Sequence, residues 1–208
     1  MTALLAPLLP QVLLPGVTGS EVEDHGQAIC LDPGEAAIVA AAGEKRRREF
    51  SLGRFCAHAA LMQLGQPHGP VGRGQGGAPV WPEGICGSIT HTNGYAAALA
   101  ARRNGFSGIG VDAEHVGGVT EKLWPRLFND KERAMLKGGE DCATAATLLF
   151  SAKEACFKAG GSASGSFTSI AVELSDSGFV ARSKLGVLRG LFAVRGSLVV
   201  TAAYLPSR

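Results

Sequence analysis

Apolar residues recur at helical spacing in two segments of the chain. In residues 44–64 the apolar stripe includes Phe50, Leu61 and Leu64, and a second helical pattern covers residues 147–159. Such spacing places apolar side chains on one face of an amphipathic helix. A glycine follows each segment, as is common where helices end. The pattern therefore predicts two long helices that each bury one face.

Three strand-like runs lie between the two helices, at residues 85–92, 95–101 and 106–113. The dipeptides Asn93-Gly94 and Asn104-Gly105 separate these runs. Asn-Gly is a strong hairpin signal because both residues accept positive φ. The three runs are therefore predicted to form one antiparallel meander.

Further strands are predicted near the end of the chain, at residues 170–174, 178–181 and 198–204. Asn129 and Glu132 have the spacing of a capping box, which predicts the start of a short helix. Helical segments thus alternate with antiparallel runs in both parts of the chain.

A faint internal repeat relates the two long helices. A Phe-Ser pair precedes a cysteine and an alanine at the same offsets in both, starting at Phe50 and at Phe150. Self-similarity of this kind indicates two related structural units. The predicted fold class is therefore α+β, with two similar halves that each pack a helix on a small antiparallel sheet. The halves are predicted to span residues 1–105 and 106–208.

Composition narrows the class of protein. Hydrophobic residues make up 46% of the 208 positions and charged residues 18%, which excludes a disordered chain. The formal net charge of +2 is too balanced for a dedicated nucleic-acid binder. The five cysteines lack CxxC spacing, which favours reduced thiols over a disulfide framework or a zinc ribbon. No run approaches the roughly 18 apolar residues of a membrane span, so we expect a cytoplasmic protein without membrane contact.

Asp112 and Glu114 end the third predicted strand. Residues two apart on a strand point to the same side, so both carboxylates are expected to face one way. Two acids on one face repel each other unless a cation lies between them. Oxygen ligands of this kind suit Mg²⁺, which commonly takes one or two carboxylates plus substrate phosphate. The alternative is a solvated strand end.

The second long helix carries Lys153, Glu154 and Lys158. Glu154 and Lys158 are helical neighbours, and a surface salt bridge is the simplest interpretation of that pair. However, Glu154 also lies beside Phe150 and Phe157 on the helix, where an unpaired carboxylate is costly. A role as a third metal ligand or as a base explains that position.

Basic residues form a second candidate site. Arg46 and Arg54 lie on one helical row, and Arg54 adjoins the apolar stripe, where a permanently charged guanidinium requires an anion. Together they could clamp a phosphate, although a basic run is also typical of a solvated helix face. Residues 72–77 match G-x-G-x-x-G, but nearby prolines exclude the helix that a dinucleotide-binding motif needs. Arg73 on that glycine loop is a further candidate phosphate contact.

Five segments of the chain, in this order and spacing, resemble the 4′-phosphopantetheinyl transferases of the larger, monomeric type. The resemblance is nearest to the siderophore- and mycolate-associated bacterial branch. The matching segments are KRRREFSLGRFCAHAAL (45–61), APVWP (78–82), GSITH (87–91), GVDAE (110–114) and FSAKEACFKA (150–159).

The resemblance implies a role for each matching residue. Asp112, Glu114 and Glu154 would hold Mg²⁺, with Mn²⁺ as an alternative ion. Glu154 and Lys158 would be catalytic, as base and as stabiliser of the leaving phosphate. The residues implied to bind coenzyme A are Arg46, Arg54, Arg73, Thr90, His91, Asp112, Lys153 and Lys158. The first half would thus bind the nucleotide phosphates, the second would carry the metal and catalytic groups, and the active site would lie between them.

The implied reaction transfers 4′-phosphopantetheine from coenzyme A to a serine of an acyl or peptidyl carrier protein and releases 3′,5′-ADP. A monomeric enzyme serving siderophore, polyketide or lipid synthesis is expected. Two alternatives stay open: a coenzyme A-binding homologue without transfer activity, and another Mg²⁺-dependent phosphotransferase. In the predicted meander Thr90 lines up with Asp112 and His91 points to the opposite face, which separates His91 from the metal residues.

Overall fold

The secondary structure is described by a computed structural model over residues 6–67, 69–139 and 141–207. The helices are α1 (Pro33–Ile38), α2 (Glu44–Gln63), α3 (Trp124–Leu127), α4 (Asp130–Gly138) and α5 (Cys142–Gly160). The strands are β1 (Val17–Glu23), β2 (Gly72–Arg73), β3 (Pro79–Val80), β4 (Ile85–Thr92), β5 (Tyr95–Arg102), β6 (Phe106–His115), β7 (Ala171–Leu174), β8 (Gly178–Ser183), β9 (Gly186–Arg195) and β10 (Leu198–Pro206). Short 3-10 turns occur at Leu9–Val12, Gln75–Gly77, Glu121–Leu123, Gly161–Ser164 and Phe167–Ser169.

Helix α2 packs on an antiparallel sheet with strand order β1-β5-β4. Its apolar face meets alternate alanines of β5, among them Ala96 and Ala98. These small side chains allow the helix to approach the sheet closely, and β5 is buried on both faces as far as Ala101. The helix predicted at residues 44–64 is confirmed.

Helix α5 packs on a second antiparallel sheet, with strand order β6-β10-β9-β8-β7. Two glycines of β6 lie directly under the helix. A Cβ at Gly110 would lie 1.8 Å from the carbonyl oxygen of Ala155, and one at Gly108 would lie 2.0 Å from that of Ala159. The absence of side chains at these positions therefore lets helix and strand backbones meet, and it brings α5 close enough to β6 for the side chain of Lys158 to reach Asp112.

The two sheets share a core and are joined at a seam. Leu99 of β5 packs in one cluster with Val111 and Tyr204 of the second sheet. At the seam, the hydroxyl of Ser88 accepts the backbone N–H of Val111 at 3.0 Å. The hydroxyl of Thr90 accepts the N–H of Ala113 at 3.1 Å. Side chains of β4 thus take the place of a backbone ladder between β4 and β6.

The fold class is confirmed as α+β, with two halves that each pack a helix on an antiparallel sheet, the second enlarged by β7 and β8. The predicted division at residue 105 stays a prediction. No helix in the described ranges is both long and apolar enough to cross a membrane.

The predicted meander is wrong in its third strand. β4 and β5 form the predicted hairpin, but β6 pairs with β10 in the second sheet. An Asn-Gly turn reverses the chain without fixing which strand the next one joins. The Asn104-Gly105 turn therefore leads from one sheet to the other. The sequence interpretation also missed β9 and began α5 at residue 147, although the helix starts at Cys142.

Candidate active site at the seam between the sheets

The side chain of Lys158 crosses from α5 to the seam. Its ammonium donates to Oδ1 of Asp112 at 2.7 Å and to the carbonyl of Val111 at 3.2 Å. It also lies 3.4 Å from the hydroxyl of Thr90, which in turn is 3.4 Å from Oδ1 of Asp112. We call Thr90, Asp112 and Lys158, with the neighbouring Glu114 and Glu154, the seam cluster.

Asp112 is 4% exposed, and its second carboxylate oxygen, Oδ2, is buried without a hydrogen-bond partner among the described residues. A buried acceptor without a partner costs free energy comparable to a lost hydrogen bond. The fold therefore maintains an unsatisfied anionic oxygen beside Lys158, which is the kind of position that a cation stabilises.

The other two acids of the seam cluster raise the local negative charge. The pKa of Glu114 is raised to about 7, first by burial and then by the Asp112 and Glu154 carboxylates, against the opposing effect of the Lys158 ammonium. The pKa of Glu154 is also raised, by burial and by Asp112. In the described ranges, however, no three histidine, cysteine or acidic side chains form a group that could hold a metal ion. The three predicted metal ligands are thus electrostatic neighbours, and their assignment as ligands of one ion stays a prediction.

A second cluster lies on the other side of β4, in a cavity of about 110 Å³ between α2 and the β2–β3 hairpin. The guanidinium of Arg54 lies 4.3 Å from the centre of the Phe50 ring. Its pKa is lowered by burial and by the charges of Arg46 and Arg73. We call this the arginine cavity, and four predicted coenzyme A residues line it: Arg46, Arg54, Arg73 and His91.

His91 faces the arginine cavity. Arg46 donates to its Nε2 at 2.8 Å, and Glu49 lies 3.8 Å from its Nδ1. Burial lowers the pKa of His91. The charge of Lys158 lowers this pKa further, whereas the charge of Asp112 raises it. Because Thr90 contacts the seam cluster and His91 lines the arginine cavity, adjacent residues of one edge strand connect the two clusters.

Glu49 is a cavity residue that the sequence interpretation missed. Its carboxylate lies 3.6 Å from Arg46 and 4.0 Å from Lys45. Glu49 lies one helical turn after those two basic residues in the sequence. That spacing predicts only an ordinary ion pair on the helix surface, so it does not identify Glu49 as part of a cavity. An acidic group thus balances part of the positive charge in the arginine cavity.

Lys153 does not reach either cluster, which corrects its predicted role in binding coenzyme A. It is fully buried, and its ammonium contacts Glu132 at 2.7 Å and the carbonyl of Leu127 at 2.9 Å. Neighbouring residues of a helix point about 100° apart, so Lys153 is turned away from the side that carries Glu154. Glu132 also closes the predicted capping box with Asn129 and accepts the N–H of Val172.

Replacing Lys153 with methionine is expected to destabilise the protein by about 3 kcal/mol, because removing one partner leaves Glu132 as an uncompensated buried charge. Urea unfolding measures the change. Lys137→Met is the matched control, since that lysine is exposed on α4 and surface substitutions change stability by about 0.5 kcal/mol or less. Equal effects of the two substitutions would contradict a structural role for Lys153.

Comparison with known proteins matches both halves of the chain. Residues 34–101 match the family model of the 4′-phosphopantetheinyl transferase N-terminal domain, and residues 108–197 match that of the 4′-phosphopantetheinyl transferase superfamily. The 4′-phosphopantetheinyl transferase Npt of Nocardia iowensis is 38% identical over 152 residues, which cover 73% of this chain and 68% of the relative. Svp of Streptomyces mobaraensis, named as the same enzyme, is 39% identical over 75% of this chain and 64% of its own length.

Among solved structures, the Thermotoga maritima holo-(acyl-carrier-protein) synthase is 22% identical, with a TM-score of 0.44 over 50% of this chain and 65% of that protein.

The sequence matches extend across both halves and include the residues of the seam cluster and of the arginine cavity. This chain therefore belongs to the 4′-phosphopantetheinyl transferase superfamily.

Proposed function

We propose that this chain transfers 4′-phosphopantetheine from coenzyme A to a serine of an acyl or peptidyl carrier protein, with Mg²⁺ as cofactor and 3′,5′-ADP as the second product. The observation that carries the proposal is the pair of clusters on either side of β4. One cluster is rich in arginine and the other holds acids and a lysine, and Thr90 and His91 connect them. A ligand with several separated phosphates, such as coenzyme A, suits two linked sites of this kind.

The arginine cavity would bind the nucleotide phosphates. Guanidinium groups form charge-assisted hydrogen bonds to phosphate. Arg54 is almost fully buried, and an arginine side chain stays charged in proteins. These contacts lie away from the reacting phosphorus. Their binding energy therefore positions the pyrophosphate at the seam cluster, where the bond is broken.

A divalent cation fits the donor chemistry of the seam cluster. Oxygen ligands suit Mg²⁺, Asp112 has a buried oxygen without a partner among the described residues, and burial and neighbouring acids raise the pKa of Glu114. Asp112, Glu114 and Glu154 would hold the ion. When bound, Mg²⁺ supplies positive charge that neutralises the pyrophosphate oxygens.

The chemical step would use Glu154 and Lys158. The serine oxygen of the carrier attacks the phosphorus that bears the pantetheine arm, and the bond from that phosphorus to 3′,5′-ADP breaks. Glu154 would accept the serine proton, directly or through a water. Lys158 would stabilise the negative charge that develops on the leaving phosphate.

Intact-mass spectrometry of apo carrier proteins tests this function. Acyl and peptidyl carriers are incubated with the chain, coenzyme A and Mg²⁺. The expected result is a mass gain of one phosphopantetheine group that a chelator abolishes and that added Mg²⁺ restores. No gain on any carrier, with coenzyme A binding retained, would contradict transfer and support a binding-only homologue. A gain that the chelator leaves unchanged would contradict the role of the metal.

Replacing Arg54 with alanine is expected to weaken coenzyme A binding by about thirtyfold, since a charge-assisted hydrogen bond contributes about 2 kcal/mol. The maximal transfer rate should change little, because Arg54 lies outside the seam cluster. Calorimetry measures the affinity. Arg47→Ala removes the same charge from an exposed position of the same helix and is the matched control. Unchanged affinity in the Arg54 variant, or equal loss in both, would exclude Arg54 from the site.

A further inference from the structure

Glu35 is a fully buried carboxylate on α1, outside both clusters. Its Oε1 accepts hydrogen bonds at 2.8 Å from Nε2 of His58 and from the backbone N–H of Val71. The same oxygen lies 3.7 Å from Nε of Arg54. Burying a charged carboxylate is costly unless hydrogen bonds and an opposite charge compensate for the lost solvation. The contact with Arg54 therefore indicates that Glu35 acts on the arginine cavity.

The partners of Glu35 lie on the two elements that form the arginine cavity. Arg54 and His58 are one turn apart on α2, and Val71 directly precedes β2, which carries Arg73. Arg54 itself also contacts β2, since its guanidinium donates a hydrogen bond to the carbonyl of Gly72 at 3.1 Å. One carboxylate therefore links the helix that carries Arg54 to the strand that carries Arg73.

The charge of Glu35 opposes the repulsion between the arginines of the cavity. Burial, Arg46 and Arg73 all disfavour the charged form of Arg54, whereas the charge of Glu35 favours it. Without that negative charge, the buried guanidinium would lose its nearest anionic neighbour and would face two cations. Repulsion would then favour moving Arg54 away from Arg73.

We propose that Glu35 is a positioning residue for phosphate binding, which holds Arg54 and the Arg73 strand at the spacing that a nucleotide phosphate requires and does not itself touch the ligand. The inference rests on the proposed function, since it takes the arginine cavity as the site of the nucleotide phosphates. It assigns Glu35 to ligand affinity and not to the chemical step.

A double-mutant cycle tests this role by calorimetry with 3′,5′-ADP, which needs no transfer reaction. Wild type, Glu35→Gln, Arg54→Ala and the double variant are compared. We expect Glu35→Gln to weaken binding by at least about tenfold when Arg54 is present. In the Arg54→Ala background the same change should cost less than about twofold, because coupled residues are not additive. Glu44→Gln removes an exposed acid from the same half and should have no effect.

Kinetics supply a readout that a purely structural role would not separate. Glu35→Gln should raise KM for coenzyme A and leave kcat at saturating coenzyme A unchanged. Equal losses of affinity in both Arg54 backgrounds, or no loss in either, would overturn the inference. If Glu35→Gln unfolds at the assay temperature, Glu35→Asp keeps the charge, shortens its reach and should show the same dependence on Arg54. Failure of the wild type to bind 3′,5′-ADP or coenzyme A would instead contradict the proposed function.

Discussion

Asp112→Asn is expected to lower the rate of carrier modification by about a hundredfold to a thousandfold, the range typical of removing a group that stabilises charge in the transition state. Asparagine has nearly the same shape as aspartate, and its carbonyl can still accept the hydrogen bond from Lys158. The variant should therefore fold. It loses the negative charge that holds the Lys158 ammonium, and it loses the anionic oxygen that would face the metal. The substitution therefore impairs both the positioning of Lys158 and the binding of the metal.

Initial rates at saturating coenzyme A and carrier, together with thermal unfolding, measure this effect. Asp176→Asn is the matched control, because Asp176 is exposed in the same half between β7 and β8. The control should retain the wild-type rate. A folded Asp112→Asn variant whose rate is within about threefold of the wild type would remove Asp112 from the reaction.

Gly110→Ala is expected to destabilise the protein by at least about 4 kcal/mol, a large share of the roughly 5–15 kcal/mol that holds a domain folded. The added Cβ would lie 1.8 Å from the carbonyl oxygen of Ala155 and 2.8 Å from the amide nitrogen of Ala159. Backbone atoms of a helix cannot turn aside as a side chain can. The helix would have to move away from β6, and Lys158 would move away from Asp112 with it.

Urea unfolding measures the loss of stability, and Gly138→Ala is the matched control. Gly138 is the last residue of α4 and has no heavy atom near the position of an added Cβ. Alanine there should be neutral or slightly stabilising, since it is the better helix former. Equal stability of the two variants would contradict the close packing of α5 on β6 that positions the site.

The sequence predicts the contents of both clusters more successfully than their arrangement. Arg46 and Arg54 are two helical turns apart, so the period of α2 alone places them on one row. The pairing of Thr90 with Ala97 also follows from the Asn93-Gly94 turn, as the structure shows. Local rules of this kind are sufficient wherever the partners lie on one element or one hairpin.

Long-range packing accounts for what the sequence does not predict. The choice of β10 as partner of β6 depends on a strand more than eighty residues away. The burial of Lys153 depends on Glu132, which the capping-box pattern identified only for its local role. Glu35 forms contacts with α2 and with Val71 that no local spacing indicates. In each case the deciding energy is tertiary: a shared core, a buried ion pair or a buried hydrogen bond.

We propose that the arginine cavity and the seam cluster together form one coenzyme A site across β4. A crystal structure of the chain with coenzyme A and Mg²⁺ tests it most directly. We expect one coenzyme A molecule with a nucleotide phosphate bound to Arg54 or His91 and with its pyrophosphate beside Lys158 and Asp112. A coenzyme A molecule whose pyrophosphate points away from Asp112, or one that occupies neither cluster, would show that the two clusters do not form one site.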